Sequence, residues 1–129
     1  MARILVIDDE AQVRSVIEIV LTREGHAVRC ANNGKSGLAA FEEDKPELVI
    51  TDIIMPEKEG IETIRAIRAL DSEIPIIAIS GGGRAANFDF LPLAARFGAT
   101  ATLAKPFGAQ ALNESVRKAL LARAAGIAK

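Results

Sequence analysis

The chain has 129 residues, half of them hydrophobic, and carries 17 acidic side chains against 16 basic ones for a formal net charge of −1. A chain of this size suits one ordinary domain, and a charge so near neutrality excludes a general field that would gather nucleic acid or an acidic membrane surface. No basic segment leads into an apolar stretch of signal-peptide length, and no run approaches the roughly 18 apolar residues of a membrane span, so a soluble cytoplasmic protein is expected.

Residues 3–7, Arg-Ile-Leu-Val-Ile, form an apolar run that stops at Asp8-Asp9-Glu10. Such a run reads as a buried parallel strand that delivers acids to its C-terminal edge. Val13, Val16, Ile17, Val20 and Leu21 then recur at helical spacing and predict one inward stripe of an amphipathic helix, ended by Gly25. Glu10 is read as favouring the N-terminus of that helix, although it lies near enough to tune the acids beside it. His26, following Gly25, is read as solvated and far from the rim.

The second strand is expected over 27–31, with Cys30 as a small core residue. As the sole cysteine it excludes an internal disulfide and fits a reducing cytosol. A second helix over 34–43 takes Asn33 as its cap. The third strand, 47–51, is a near-continuous apolar run that ends in Asp52, and an irregular Met55-Pro56-Glu57-Lys58-Glu59-Gly60 loop follows it. The third helix, 60–70, carries Ile61, Ile64 and Ile67 inward, and the fourth strand, 74–79, leads into Ser80.

The segment after Ser80 begins with the triplet Gly81-Gly82-Gly83, read as a flexible loop rather than a phosphate cradle. A fourth helix is predicted from a cap at Asp89, which places Pro92 in the first turn, where backbone donors have no helical partner, and it stops at Gly98. Phe88, Phe90 and Phe97 beside this loop are read as packing residues. A fifth strand at 99–104 precedes Lys105-Pro106, and the last helix, 109–124, aligns Leu112, Val116 and Leu120.

Strands separated by helices must lie parallel with right-handed crossovers. The fold class is therefore α/β, a flavodoxin-like (βα)5 doubly wound sheet in the order 2-1-3-4-5 with helices on both faces. No linker interrupts the pattern, so 1–129 is expected to be a single domain without an output domain.

That order places Asp8 and Asp9, Asp52, Ser80 and Lys105 on one rim, with the ends of strands one and three forming the switch-point crevice. Three carboxylates so close repel one another, and a hard divalent cation with oxygen ligands is the ordinary remedy. Three acids, one divalent cation and one lysine sum to zero charge. A carboxylate can attack phosphorus to form an acyl phosphate, while a metal and a lysine neutralise the phosphoryl oxygens and a hydroxyl donates to one of them.

Taken together, Asp8-Asp9, Asp52 with Met55-Pro56 and Gly60, Ser80, and Lys105-Pro106-Phe107 resemble the receiver domain of two-component response regulators, over essentially the whole chain. The resemblance implies Asp52 as phosphoacceptor, Asp9 as a direct Mg²⁺ ligand, Asp8 as a ligand mainly through water, and the backbone carbonyl of Ile54 as a further ligand, with Mn²⁺ able to substitute. It implies that Ser80 is the switch hydroxyl, that Lys105 pairs with phosphoryl oxygens, and that the Lys105–Pro106 peptide is cis, which proline permits at about 0.5 to 1 kcal/mol.

The same resemblance implies a phosphohistidine donor on a histidine kinase or histidine phosphotransfer protein and a downstream protein target, with no direct nucleic-acid or membrane partner. Such a domain is a phosphoacceptor with self-phosphorylation and slow autodephosphorylation rather than a conventional enzyme. Thr102 stands three positions before the lysine, where many receivers carry a rotating aromatic. Signalling is therefore expected through ordering of the segment from Gly81 to Phe97, with the fourth helix, fifth strand and last helix as output surface. The alternative, a catalytically silent pseudo-receiver, would keep the fold without the acids. A flavin or nucleotide binder would want a phosphate loop where Asp8-Asp9-Glu10 stands, and an aspartyl phosphatase typically shows Asp-x-Asp.

Overall fold

A computed structural model of the chain describes residues 2–53, 59–81, 96, 98–105 and 107–124. Five parallel strands, β1 (Arg3–Ile7), β2 (Ala27–Ala31), β3 (Leu48–Asp52), β4 (Ile76–Gly81) and β5 (Ala101–Lys105), form one sheet in the order β2-β1-β3-β4-β5. Among the described residues four helices cover it: α1 (Ala11–Arg23), α2 (Gly34–Glu43), α3 (Glu59–Leu70) and α4 (Ala109–Ala124), the last being the helix after β5. This is the flavodoxin-like architecture expected from the alternation of runs. None of these helices is long and apolar enough to cross a membrane. The predicted helix between β4 and β5 lies outside the described residues, as do Ile54, Met55-Pro56, Gly82-Gly83, Phe88, Phe90, Phe97 and Pro106.

The sheet order follows from composition. β3 is buried throughout and β1 after its first residue, as continuous apolar runs require when helices cover both faces. The edge strands β2 and β5 alternate in exposure, and Arg29 and Thr102 take outward positions. Strand parity divides the core in two. Leu5, Ile7, Val49 and Ile76 pack against Phe41 of α2 and Ile64 and Ile67 of α3. Ile4, Val6, Ile50 and Ile79 pack against Ile17 and Leu21 of α1 and Leu112 and Val116 of α4. Each fully buried aliphatic side chain contributes about 1.5–3 kcal/mol.

Local chemistry sets several boundaries. Asn33 and Ser36 close a capping box at α2, with the Ser36 N–H donating to Asn33 Oδ1 at 2.7 Å. Gly25, at φ 92°, supplies the left-handed residue that turns the chain from α1 into β2. Gly60 is required by a close approach: a Cβ there would meet the Ile53 backbone and lie 2.5 Å from the Asp52 carbonyl oxygen. The start of α3 is thereby pressed against the end of β3.

The structure departs from the sequence expectations at several places, β5 among them, which spans Ala101–Lys105 rather than 99–104. β3 includes Asp52, because the Ile53 N–H continues the ladder to the Ile79 carbonyl at 3.0 Å. β4 begins at Ile76 rather than at residue 74, because Asp71 Oδ1 accepts from the Glu73 and Ile74 N–H groups and holds them in a turn. Val16 is 54% exposed and does not belong to the inward stripe of α1, since a helix lying on a sheet buries a narrower face than the apolar pattern offers. His26 is half-buried rather than solvated, and its Nδ1 accepts from the Ala2 N–H at 3.1 Å. Cys30 is half-buried against the α1 side of the core, where burial pushes its thiol up.

Candidate functional site

The three central strands end at one rim, and their register decides which side chains meet there. Ile7 pairs with Thr51, so the residue after each, Asp8 and Asp52, emerges side by side. Asp52 is level with Ile79, and Ile79 with Leu103, which puts Lys105 two residues further along β5. Asp52, Ile79, Leu103 and Lys105 therefore share one face of the sheet, and the four-carbon stem of Lys105 is long enough to reach back over β4 to the acids.

Asp8 is held by hydrogen bonds at its N–H, its carbonyl and one carboxylate oxygen. Its N–H donates to the Ala31 carbonyl at 3.1 Å, its carbonyl accepts from Arg14 Nη1 at 2.7 Å, and its Oδ1 accepts from the Glu10 N–H at 2.8 Å. The last contact is the Asx turn that swings the chain from β1 into α1. The residue is fully buried, and its Oδ2 has no hydrogen-bond partner of good geometry, facing Lys105 Nζ as an ion pair at 3.1 Å. Burial pushes the Asp8 carboxyl up, against the lowering effect of the Glu10 N–H and of Lys105.

Lys105 Nζ is held by three acids at once: Asp8 Oδ2 at 3.1 Å, Glu10 Oε1 at 3.0 Å and Asp52 Oδ2 at 3.1 Å. Burial alone would lower the ammonium, but the hydrogen bond to Glu10 and the charge of Asp52 outweigh it, and Lys105 is pushed up and stays cationic. Carboxylate oxygens of Asp8, Glu10 and Asp52 lie within 4.8 Å of one another. At that separation the two buried acids, Asp8 and Asp52, repel by about 3.5 kcal/mol at an effective dielectric constant of about 20, and half-exposed Glu10 adds a smaller, solvent-screened amount. One lysine leaves the trio with an excess of negative charge. Clustered hard oxygens around a buried, unsatisfied carboxylate oxygen fit a divalent cation of the Mg²⁺ type.

The structure brings Asp8, Asp52 and Lys105 together. Asp9 is exposed and is not a member of the converging trio, and Ile54 lies outside the described residues. Ser80 is buried on β4 one residue beyond the level of Asp52. Glu10 is the residue that sequence reasoning undervalued. Its side chain makes no capping bond to α1 and instead reaches Lys105, 95 positions away. The signal available in the sequence was the aspartate two positions before it, the spacing of the Asx turn in which Asp8 Oδ1 holds the Glu10 N–H.

The family model described as the response regulator receiver domain matches residues 4–117. Among curated proteins, the chain is 34% identical to the chemotaxis protein CheY of Bacillus subtilis, over 92% of this chain and 97% of that one. It is 35% identical to the regulatory protein AtoC of Escherichia coli over 92% of its own length but only 25% of the relative. The chain thus spans about a quarter to half of the longer regulatory proteins it matches. Among solved structures, the receiver domain of NtrX from Brucella abortus superposes with a TM-score of 0.84 at 34% identity, over 92% of this chain and 98% of that one.

Proposed function

The chain belongs to the response regulator receiver domain family, and on that premise we propose that it is a phosphoacceptor switch in which Asp52 takes the phosphoryl group. The observation that carries this reading is the contact of Lys105 Nζ with Oδ2 of buried Asp52, 3.1 Å away, beside a second buried acid. The donor is a phosphohistidine on a histidine kinase or histidine phosphotransfer protein. An Asp52 carboxylate oxygen attacks phosphorus, the phosphorus–nitrogen bond breaks, and its electron pair leaves with the imidazole.

Lys105 balances charge that develops on the phosphoryl oxygens, and the Ser80 hydroxyl donates to one of them. Asp8, Asp9 and Asp52, with the Ile54 carbonyl, would hold the Mg²⁺ ion, for which Mn²⁺ can substitute. When bound, that ion supplies further neutralisation of the transferring group. The acyl phosphate then changes which downstream protein the domain contacts, and water later hydrolyses it slowly.

Intact mass after incubation with acetyl phosphate and Mg²⁺ tests the reading, with the native chain beside Asp52→Asn. One added phosphoryl group on the native chain, absent without metal and absent in the variant, is expected. An adduct that survives in Asp52→Asn, or a native chain that takes neither a phosphoryl group nor beryllofluoride, refutes it.

A further inference from the structure

An ammonium has three N–H donors, and in this structure three carboxylates lie in reach of them. Asp8 and Asp52 are strand-terminal and buried, whereas the Glu10 side chain is 55% exposed on the turn before α1 and makes no capping bond to the helix. We propose that Glu10 is a positioning residue that occupies one donor of Lys105 in the resting site and competes for it with an incoming phosphoryl group. This rests on the phosphoacceptor reading above.

The physical reason lies in unequal release. A phosphoryl group approaching Asp52 brings new acceptor oxygens beside Lys105, and while the Asp52 carboxylate is still charged the lysine can bond them only by giving up a present partner. Asp8 and Asp52 cannot follow water without breaking the strand ends that hold them, and freeing either from Lys105 would leave a buried charge unpaired. Glu10 gives up its contact with Lys105 at the least cost, because its carboxylate is already half hydrated. Its charge also adds to the field of the acid trio, so the same side chain that delays phosphorylation strengthens the hold on a divalent cation. One substitution should therefore move two observables in opposite directions, which a general loss of structure would not do.

The test compares the native chain, Glu10→Ala, Lys105→Met and the double variant, with unfolding midpoints recorded to establish that each is folded. Mg²⁺ affinity is read by calorimetry, since the chain has no tryptophan to report it. The phosphorylation rate with acetyl phosphate at saturating Mg²⁺ is read by intact mass, and beryllofluoride affinity by NMR completes the four-way cycle. Glu10→Ala is expected to weaken Mg²⁺ binding while raising the phosphorylation rate and beryllofluoride affinity roughly two- to five-fold, the span of a partly exposed ion pair. In the Lys105→Met background the gain in beryllofluoride affinity should vanish.

An unchanged or slower rate in folded Glu10→Ala overturns the proposal. So does an equal gain in both backgrounds, which would be a field effect and not competition for a lysine donor. A native chain that accepts no phosphoryl group overturns the phosphoacceptor reading itself, a distinguishable result.

Discussion

Replacing Asp52 by Asn asks whether the rim is held together by its charges or strained by them. In the folded chain the Asp52 carboxylate gains about 5 kcal/mol from Lys105 at 3.1 Å, at an effective dielectric constant of about 20. It loses about 3.5 kcal/mol to Asp8 and a smaller, solvent-screened amount to half-exposed Glu10, both within 4.8 Å. Among these three charged contacts the terms nearly cancel, and the desolvation of a carboxylate only 3% exposed then sets the sign. That penalty amounts to several kcal/mol for a charge and is largely escaped by a neutral amide. Asp52→Asn should therefore stabilise the metal-free fold by about 2 kcal/mol, or raise Tm by roughly 8 °C for a domain of this size. Urea and thermal unfolding at pH 7 and low salt, in a chelator, would measure it. Excess Mg²⁺ should close the gap, since a ligand at 100 times its Kd adds about 2.7 kcal/mol to the form that binds it. A variant no more stable than the native chain in chelator would show that the lysine outweighs both repulsion and burial.

Two further expectations concern the scaffold. Ile17→Ala, at a fully buried site between α1 and the sheet, should cost about 2–5 kcal/mol in urea unfolding, whereas Val16→Ala, 54% exposed one position earlier, should stay within about 0.5 kcal/mol. His26 has its pKa lowered from 6.5, first by burial, and accepts the Ala2 N–H in its neutral form. The unfolded chain thus binds the proton more readily, so the stability His26 contributes is present above pH 6.5 and lost as pH falls through the lower folded value. Urea midpoints of the native chain and His26→Gln across that window should converge as the solution is acidified, and parallel curves would contradict the assignment.

Much of the scaffold was legible because its signals are local. The boundaries of β1, β2, α2 and α4 coincide with the expected ones, since apolar runs, the Asn33 cap and helical spacing act within a few residues. Two of the departures came from partners distant in sequence. Ile79 extends β3 through Asp52, and the imidazole of His26 is drawn to the backbone of Ala2. Val16 shows that periodicity names the apolar side of a helix but not how much of it a sheet can cover.

At the rim the division is the same. The residue types and their strand-terminal places were written in the chain itself: an acid after each of two apolar runs, a hydroxyl after the next, and a lysine before a proline. Hydrophobic burial forces such runs into one parallel sheet, and a parallel sheet has a single C-terminal edge. Which carboxylates share the lysine was decided only by tertiary structure. The parallel register and the reach of Lys105 over β4 brought Glu10 to it across 95 positions, while Asp9, its immediate neighbour, faces solvent. Composition names the charges present at an edge, but distances of about 3 Å between them arise from packing that no local pattern encodes.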